Sequence, residues 1–465
     1  MTHYETIIIG AGHNGLVAAA YLAKRGQKIL VLERRPIVGG SLAHETFGEG
    51  FDVDAVWPGG VLRPDICRDL NLARFGLDPQ PVAVKPALIA PQSDSAPLTL
   101  ESEATRTAES LRRFSTKDAA RWPEFIAFMN QAAHFLDATY ATLMPRLPKN
   151  FSLEEGYGLL ELGLDLRLLG RKDMLKVIRL LPMTVTEFLE EWFESESLKA
   201  ALASVAIHSI TAGPYSAGTG YTLLHHWLNR GGLAHTHVGK AGEISQALVR
   251  AVQAYGGEIR TKAEVQSILV EGYTCRGVKL TSGEEILAQN VISTLDPKRT
   301  FLQLVGAPQL PPEFVWKVRT IKMRGSVAKV HLLTDGNHGI PAGTVVIAPS
   351  IPYLEKAYDA AKYGEISQKP YLEVTTSGHT VSIHFQFAPY ALKGGDWNSS
   401  RETLEKLAID TLAEYFPNLK SSIRTQTSLT PLDLEQRYGL TEGDLNHGQL
   451  LLDQFLFMRP IPGWS

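Results

Sequence analysis

The residues with the plainest chemical use stand near the N-terminus, in the stretch IIIGAGHNGLVAAAYLAKRG. Gly10, Gly12 and Gly15 follow the spacing G-x-G-x-x-G, and Glu33 lies 18 residues beyond the last of them. That set suits a dinucleotide. Gly10 permits a tight turn, Gly12 lets backbone approach a pyrophosphate, Gly15 lets helix and strand pack, and the acid accepts hydrogen bonds from a ribose hydroxyl. Arg34 beside it could speak for the 2′-phosphate of NADP, but a carboxylate at the ribose would repel that phosphate. Gly39 and Gly40, followed by Ser41, form a second glycine pair where backbone could approach the far side of a longer cofactor. FAD is therefore the expected cofactor.

These residues need elements to hold them. Residues 6–9 are a β-branched run without polar alternation, as in a parallel strand buried on both faces. Residues 16–24 read as an alanine-rich helix closed by Gly26, and residues 28–32 as a second strand that ends at Glu33. A bare crossover could use the same glycines for packing, but here strand, helix, strand and acid stand in register. Further on, 243–255 reads as an amphipathic helix, Gly256-Gly257 as its turn and 258–261 as a strand. Residues 265–271, 276–280 and 286–293 are apolar runs separated by turn signals at Gly272-Tyr273 and Ser282-Gly283, a three-stranded meander.

GAGHNGLVAAAYL, with Glu33 and Gly39-Gly40, resembles the N-terminal signature of the FAD-dependent amine oxidase and phytoene desaturase superfamily. The branch it is most similar to includes bacterial carotenoid desaturases, desaturase-type β-carotene ketolases and pyridine nucleotide-disulfide oxidoreductase domain proteins. The resemblance continues through GTGYTLLHHWL, GEISQALVRAVQAYGGEI, VISTLDPKR and GDLNHGQLLLDQFLFMRP, almost to the end of the chain. It implies an α/β protein with a discontinuous Rossmann-like FAD-binding domain and an inserted α+β substrate domain. The implied boundaries are 1–82, 232–306 and 429–465 for the first, and 83–231 and 307–428 for the second. It also implies cofactor contacts at Ala11, His13 and Asn14 in the pyrophosphate turn, at the Val265 backbone beside adenine, and at Ser293 and Thr294 near the cofactor. Gly59 and Gly60 fall in a stretch that passes the flavin in the family; a plain turn explains them equally. In the family a segment like MRPIPGWS is followed by a glycine-rich strand and helix at the flavin. Since the sequence ends at Ser465, the C-terminal part of the FAD domain is expected to be incomplete.

In the substrate domain, strands are expected over 327–333, 343–348, 371–376 and 380–387. Ser382, His384 and Gln386 alternate there with Val381, Ile383, Phe385 and Phe387, which reads as a half-buried sheet. Residues 159–189 combine helical apolar spacing with Arg167, Arg171, Lys172, Lys176 and Arg179. That pattern suits either a helix lying on an anionic membrane or a two-helix cover with a solvated basic face. His225 and His226 sit on an expected helix, where one could face the substrate cavity. Glu45 is a guess at a general base, and no catalytic residue is assigned. Ser216 lacks the first glycine of a nucleophile elbow. His235 and His237 share a strand face, but no cluster completes a metal set, so no metal is expected.

The formal charge of −3 and the balance of 46 basic against 49 acidic residues offer no global field for nucleic acid. Two cysteines, Cys67 and Cys275, exclude a disulfide scaffold and suit a reducing, cytoplasmic setting. No apolar run approaches the ~20 residues of a spanning helix. The expected function is an FAD-dependent oxidoreductase moving hydride between flavin and an apolar isoprenoid or carotenoid-like substrate, in the manner of a desaturase. The alternatives are a noncatalytic lipid-binding or escort protein on the same fold, and an amine oxidase-like flavoenzyme. Its partners would be an apolar small molecule and, through 159–189, a peripheral membrane surface.

Overall fold

The computed structural model describes residues 3–60, 62–78, 82–83, 88–93, 95–142, 153–230, 236–237, 239–455 and 458–461. The chain divides into two compact units. The first gathers Met1–Val82, Thr236–Ile321 and Arg437–Thr441; the second gathers Ala83–His235, Lys322–Gln436 and Glu442–Ser465. The return to the first unit expected over 429–465 is thus confined to five residues, and 307–321 belong to the first unit rather than the second.

The first unit is built on a six-stranded sheet. Its order is Glu258–Arg260, Ile29–Leu32, Tyr4–Ile9, Glu285–Ser293, Thr274–Leu280, Val265–Glu271. The first four run parallel, and the last three form the expected antiparallel meander. Ile7, Ile8 and Ile9 are buried on both faces, which explains the unalternated run. The helix His13–Lys24 packs on the sheet beside the helix Ala241–Ala254, and Ala19, Ala20 and Ala23 meet Ala247 and Ala251 in one core. Small side chains let the two helices approach closely. The first helix begins three residues before its sequence pattern, because His13 and Asn14 complete its opening turn.

The second unit centres on a seven-stranded sheet ordered Ile423–Leu429, Val327–Thr334, Thr380–Gln386, Tyr371–Ser377, Thr344–Ile347, Leu88–Ala90, Leu98–Leu100. All neighbours are antiparallel except Thr344–Ile347 with Leu88–Ala90. One face packs Val330, Leu372, Ile383 and Phe385 against Leu404, Ala408 and Leu412 of the helix Trp397–Ala413. On the helical side, Trp122, Phe125, Phe128, Phe188, Trp192, Phe193 and Trp227 form a ring-packed core. Trp192 meets Phe125 edge-on at 5.4 Å, a geometry that adds to simple burial. The sheet is not half-buried as the alternation suggested: His384 and Gln386 are as enclosed as their apolar neighbours.

Candidate functional site

In the first unit the glycine loop is shaped by what its glycines exclude. Gly10 has φ +99°, and a Cβ on it would stand 2.8 Å from Thr294 Oγ1. A Cβ on Gly15 would lie 2.1 Å from the Gly10 carbonyl oxygen, so only glycine allows the helix to start there. Gly12 has extended backbone and space for a Cβ, with only Gly40 Cα at 4.0 Å. The closeness at Gly10 and Gly15 is explained by packing alone, but the openness at Gly12 needs another reason: the residue with no packing demand is the one a pyrophosphate would approach. The helix starts with no capping side chain and no acid in its first turn, which leaves its N-terminal dipole available to an anion.

The second glycine pair sits against the first loop. Gly39 N–H donates to the Ala11 carbonyl at 2.8 Å, and Gly39 pairs with Gly12 in a single parallel bridge. Both Gly39 and Gly40 have positive φ, and a Cβ on Gly40 would touch Gly12 Cα at 3.0 Å. Ser41 follows in the same turn. Glu33 is buried, accepting from Ala11 N–H at 3.0 Å with Oε2 and from Arg35 N–H at 2.9 Å with Oε1. A carboxylate has about four acceptor positions, so two remain for ribose hydroxyls. Arg34 donates to the Arg437 carbonyl, and burial together with nearby Arg299 lowers its pKa.

Ala263 N–H donates to the Glu33 carbonyl at 2.9 Å, which carries the chain toward Val265 at the start of the meander. Thr294 donates through Oγ1 to the Ile9 carbonyl at 3.0 Å, beside the loop, and Ser293 Oγ lies 2.7 Å from Thr300 Oγ1. Gly59 and Gly60 pair with Lys240 and Gly239 in a short ribbon. A Cβ on Gly59 would meet the Gly239 carbonyl at 2.7 Å, so strand packing accounts for that glycine; Gly60 has open space. Glu45 does not suit a base. Arg35 and Arg437 each hold it at 2.6 Å and Tyr438 donates to it at 2.5 Å, which keeps the carboxylate ionised and occupied.

In the second unit, strand register assembles a row of ionisable groups that sequence reading left unassigned. Glu373 stands opposite His384, and His384 opposite Lys329, across three adjacent strands. Lys329 Nζ lies 2.9 Å from His384 Nδ1, and His384 Nε2 lies 2.9 Å from Gln386 Oε1. Gln386 then donates to the Ile210 carbonyl at 2.7 Å and accepts from Ser209 N–H at 2.9 Å. The amide thus orients the imidazole so that Nδ1 faces the ammonium. His208 stacks on His384 with ring centres 4.3 Å apart, and its Nδ1 is 3.1 Å from Glu373 Oε2. Arg230 completes the group, 3.4 Å from the same oxygen.

Burial dominates the proton affinities here. It brings Lys329 down to about 8 and His208 to about 4, and it holds His384 and His226 well below the usual imidazole value. Burial alone would raise Glu373, but Arg230 and then His208 outweigh it and keep the carboxyl well below its ordinary range. The row therefore holds two cations, one anion and neutral imidazoles. Two bulky or polar residues beside it adopt positive φ, Ser209 at 58° and Phe387 at 69°, a conformation costly outside glycine. His225 and His226 lie on the helix Thr219–Asn229 as expected. They differ in surroundings: Tyr140 OH is 2.6 Å from His225 Nδ1, whereas His226 faces the His208 ring edge-on at 5.8 Å.

The signal that could have found the row is Lys329, a lone ammonium inside the apolar strand VAKVHLLT. A lysine is almost never fully buried without a partner, and its partner had to lie on a neighbouring strand. His235 lies outside the described residues, and among the described residues no three metal-ligating side chains form a group.

A Rossmann-type cradle with an antiparallel meander, joined in one chain to a mixed-sheet unit, defines the flavin-dependent oxidoreductases of the amine oxidase type. Residues 8–59 match an NAD(P)-binding Rossmann-like domain, and residues 72–430 match flavin containing amine oxidoreductase. The chain belongs to the flavin containing amine oxidoreductase family, and it is an FAD-dependent oxidoreductase. It is 32% identical to pyridine nucleotide-disulfide oxidoreductase domain-containing protein 2 of Rattus norvegicus, over 99% of this chain and 87% of that one. It is 26% identical to a limonene dehydrogenase polypeptide of Castellaniella defragrans, over 98% and 87%. With the lycopene-forming phytoene desaturase of Pantoea ananas it shares 24% identity over 98% and 91%.

Proposed function

We propose that this oxidoreductase dehydrogenates an apolar, isoprenoid-like substrate. The observation that carries the reading is its similarity, over almost the whole chain, to relatives named for limonene dehydrogenase and phytoene desaturase. FAD, when bound, supplies the acceptor for the hydride that such an oxidation releases. Gly10, Ala11, Gly12, His13, Asn14, Gly15, Glu33, Gly39, Gly40 and Ser41 would hold its adenosine diphosphate half, with Arg34, Val265, Ser293 and Thr294 around it.

Removal of a hydride from one carbon leaves a proton to be taken from its neighbour. The Lys329–His384 pair is suited to that proton: with Lys329 near 8, Nζ is present in both protonation states close to neutral pH. Gln386 holds the imidazole of His384, and Glu373 with Arg230 sets the local charge. The excess of positive charge in the row disfavours a cationic amine as substrate. A lipid-dissolved substrate also suits a protein that works at a membrane surface in the cytoplasm; among the described residues no helix is long and apolar enough to cross a membrane.

The test is anaerobic reduction of the bound flavin, followed by its visible absorbance, with monoterpene and carotenoid-type hydrocarbons beside aliphatic and aromatic amines. Bleaching by an isoprenoid supports the reading. Bleaching by an amine, with every isoprenoid inert, overturns it.

A further inference from the structure

The helices Leu153–Leu168 and Gly170–Leu180 present apolar side chains outward as well as inward. Inward, Leu166, Leu169, Val177 and Leu180 join the helical core. Outward, Tyr157 is 70% exposed, Leu160 66%, Leu164 58% and Leu168 80%. At 100° per residue these four fall in a sector about 80° wide. On the next helix Leu175 and Ile178 are exposed beside Arg171, Lys172 and Arg179. A solvated basic cover, the plainer expectation for 159–189, does not explain a row of exposed leucines.

From this face we infer that the helix pair docks on an anionic lipid bilayer, with the leucines among acyl chains and the adjoining arginines at lipid phosphates. Charge selects this occupant. Residues 157–180 carry Arg167, Arg171, Lys172, Lys176 and Arg179 against Glu161, Asp165 and Asp173, within a chain that is acidic overall. Lys172 and Lys176 reach toward Glu124, and Arg179 pairs with Glu191 at 2.5 Å. Arg167 and Arg171 have no ion-pair partner among the described residues, and both flank the leucine sector. A helix of this build lies in the plane of the interface, and its cations reach the headgroups. A second copy of the chain is disfavoured, since a two-fold contact on this face would bring Arg167 and Arg171 against their own equivalents. The inference stands independently of the flavin reading.

Sedimentation of the full chain with vesicles tests it, using phosphatidylcholine alone and phosphatidylcholine mixed with phosphatidylglycerol. Binding is expected only to the mixed vesicles, and should weaken as salt rises. Arg167→Glu with Arg171→Glu should reduce it by roughly fivefold or more per charge. Leu164→Glu with Leu168→Glu should reduce it by at least about tenfold. All these residues are exposed, and unchanged thermal unfolding and flavin absorbance would show that each variant keeps its fold. The inference is overturned if wild type stays in the supernatant with the mixed vesicles, or if it sediments equally after both double substitutions. A wild-type dimer that Leu164→Glu dissociates, with no vesicle binding, would assign the face to a second copy and overturn it too.

Discussion

Lys329 gains its properties from the residues opposite it: enclosed beside a neutral imidazole, it titrates near 8 instead of near its free value. If the Lys329–His384 pair accepts the substrate proton, the rate should rise with pH through about 8 as Nζ loses its own proton. Lys329→Met is expected to lower kcat/KM by about a hundredfold and to abolish that limb, read from steady-state pH profiles of the two proteins. The buried imidazoles have a second consequence. His208 and His225 both fall to about 4, so between about pH 6.5 and 4 the unfolded chain binds protons that the folded chain does not. Stability should therefore decline as pH falls through that window, on the order of 2 kcal/mol per histidine at about pH 5. Thermal unfolding at about pH 7 and 5 checks it, and equal midpoints would contradict neutral burial of these rings.

The glycine loop shows which part of an element tolerates change. Gly15→Ala places a methyl 2.1 Å from the Gly10 carbonyl, and relieving that overlap should cost about 1–3 kcal/mol and most of the bound flavin. Gly60→Ala meets nothing within 4 Å and should leave the unfolding midpoint unchanged; urea unfolding and flavin-to-protein absorbance ratios measure both variants. The loop was legible in sequence because its parts are local: three glycines and an acid separated by one strand, one helix and another strand. The meander was legible for the same reason, with Gly272-Tyr273 and Ser282-Gly283 marking turns that the structure contains. The row of Glu373, His384 and Lys329 was not, because its members lie on different strands and meet only through register. Ser382, His384 and Gln386 read as a solvent face, since nothing local reveals that residues near 208 and 226 cover them. Glu45 was misread likewise, its partners Arg437 and Tyr438 lying almost at the other end of the chain.

At the scale of the whole molecule, a cradle that binds FAD only when folded makes the cofactor a stabiliser. At a free concentration of one hundred times Kd, FAD should add about 2.7 kcal/mol, seen as a higher unfolding midpoint on addition of FAD to apoprotein; no change would mean that the cradle does not bind it. The interleaving of the two units along the chain also matters before the protein is finished. The strand Tyr4–Ile9 ends up between Ile29–Leu32 and Glu285–Ser293, so one of its edges waits unpaired until position 293 has been made. At about 5–20 residues per second that delay is roughly fifteen seconds to a minute on the ribosome. Throughout it, an uncharged run of three isoleucines offers open backbone groups to any neighbouring nascent chain. The segment that opens the cofactor cradle is therefore also the point at which synthesis of this protein most needs a chaperone.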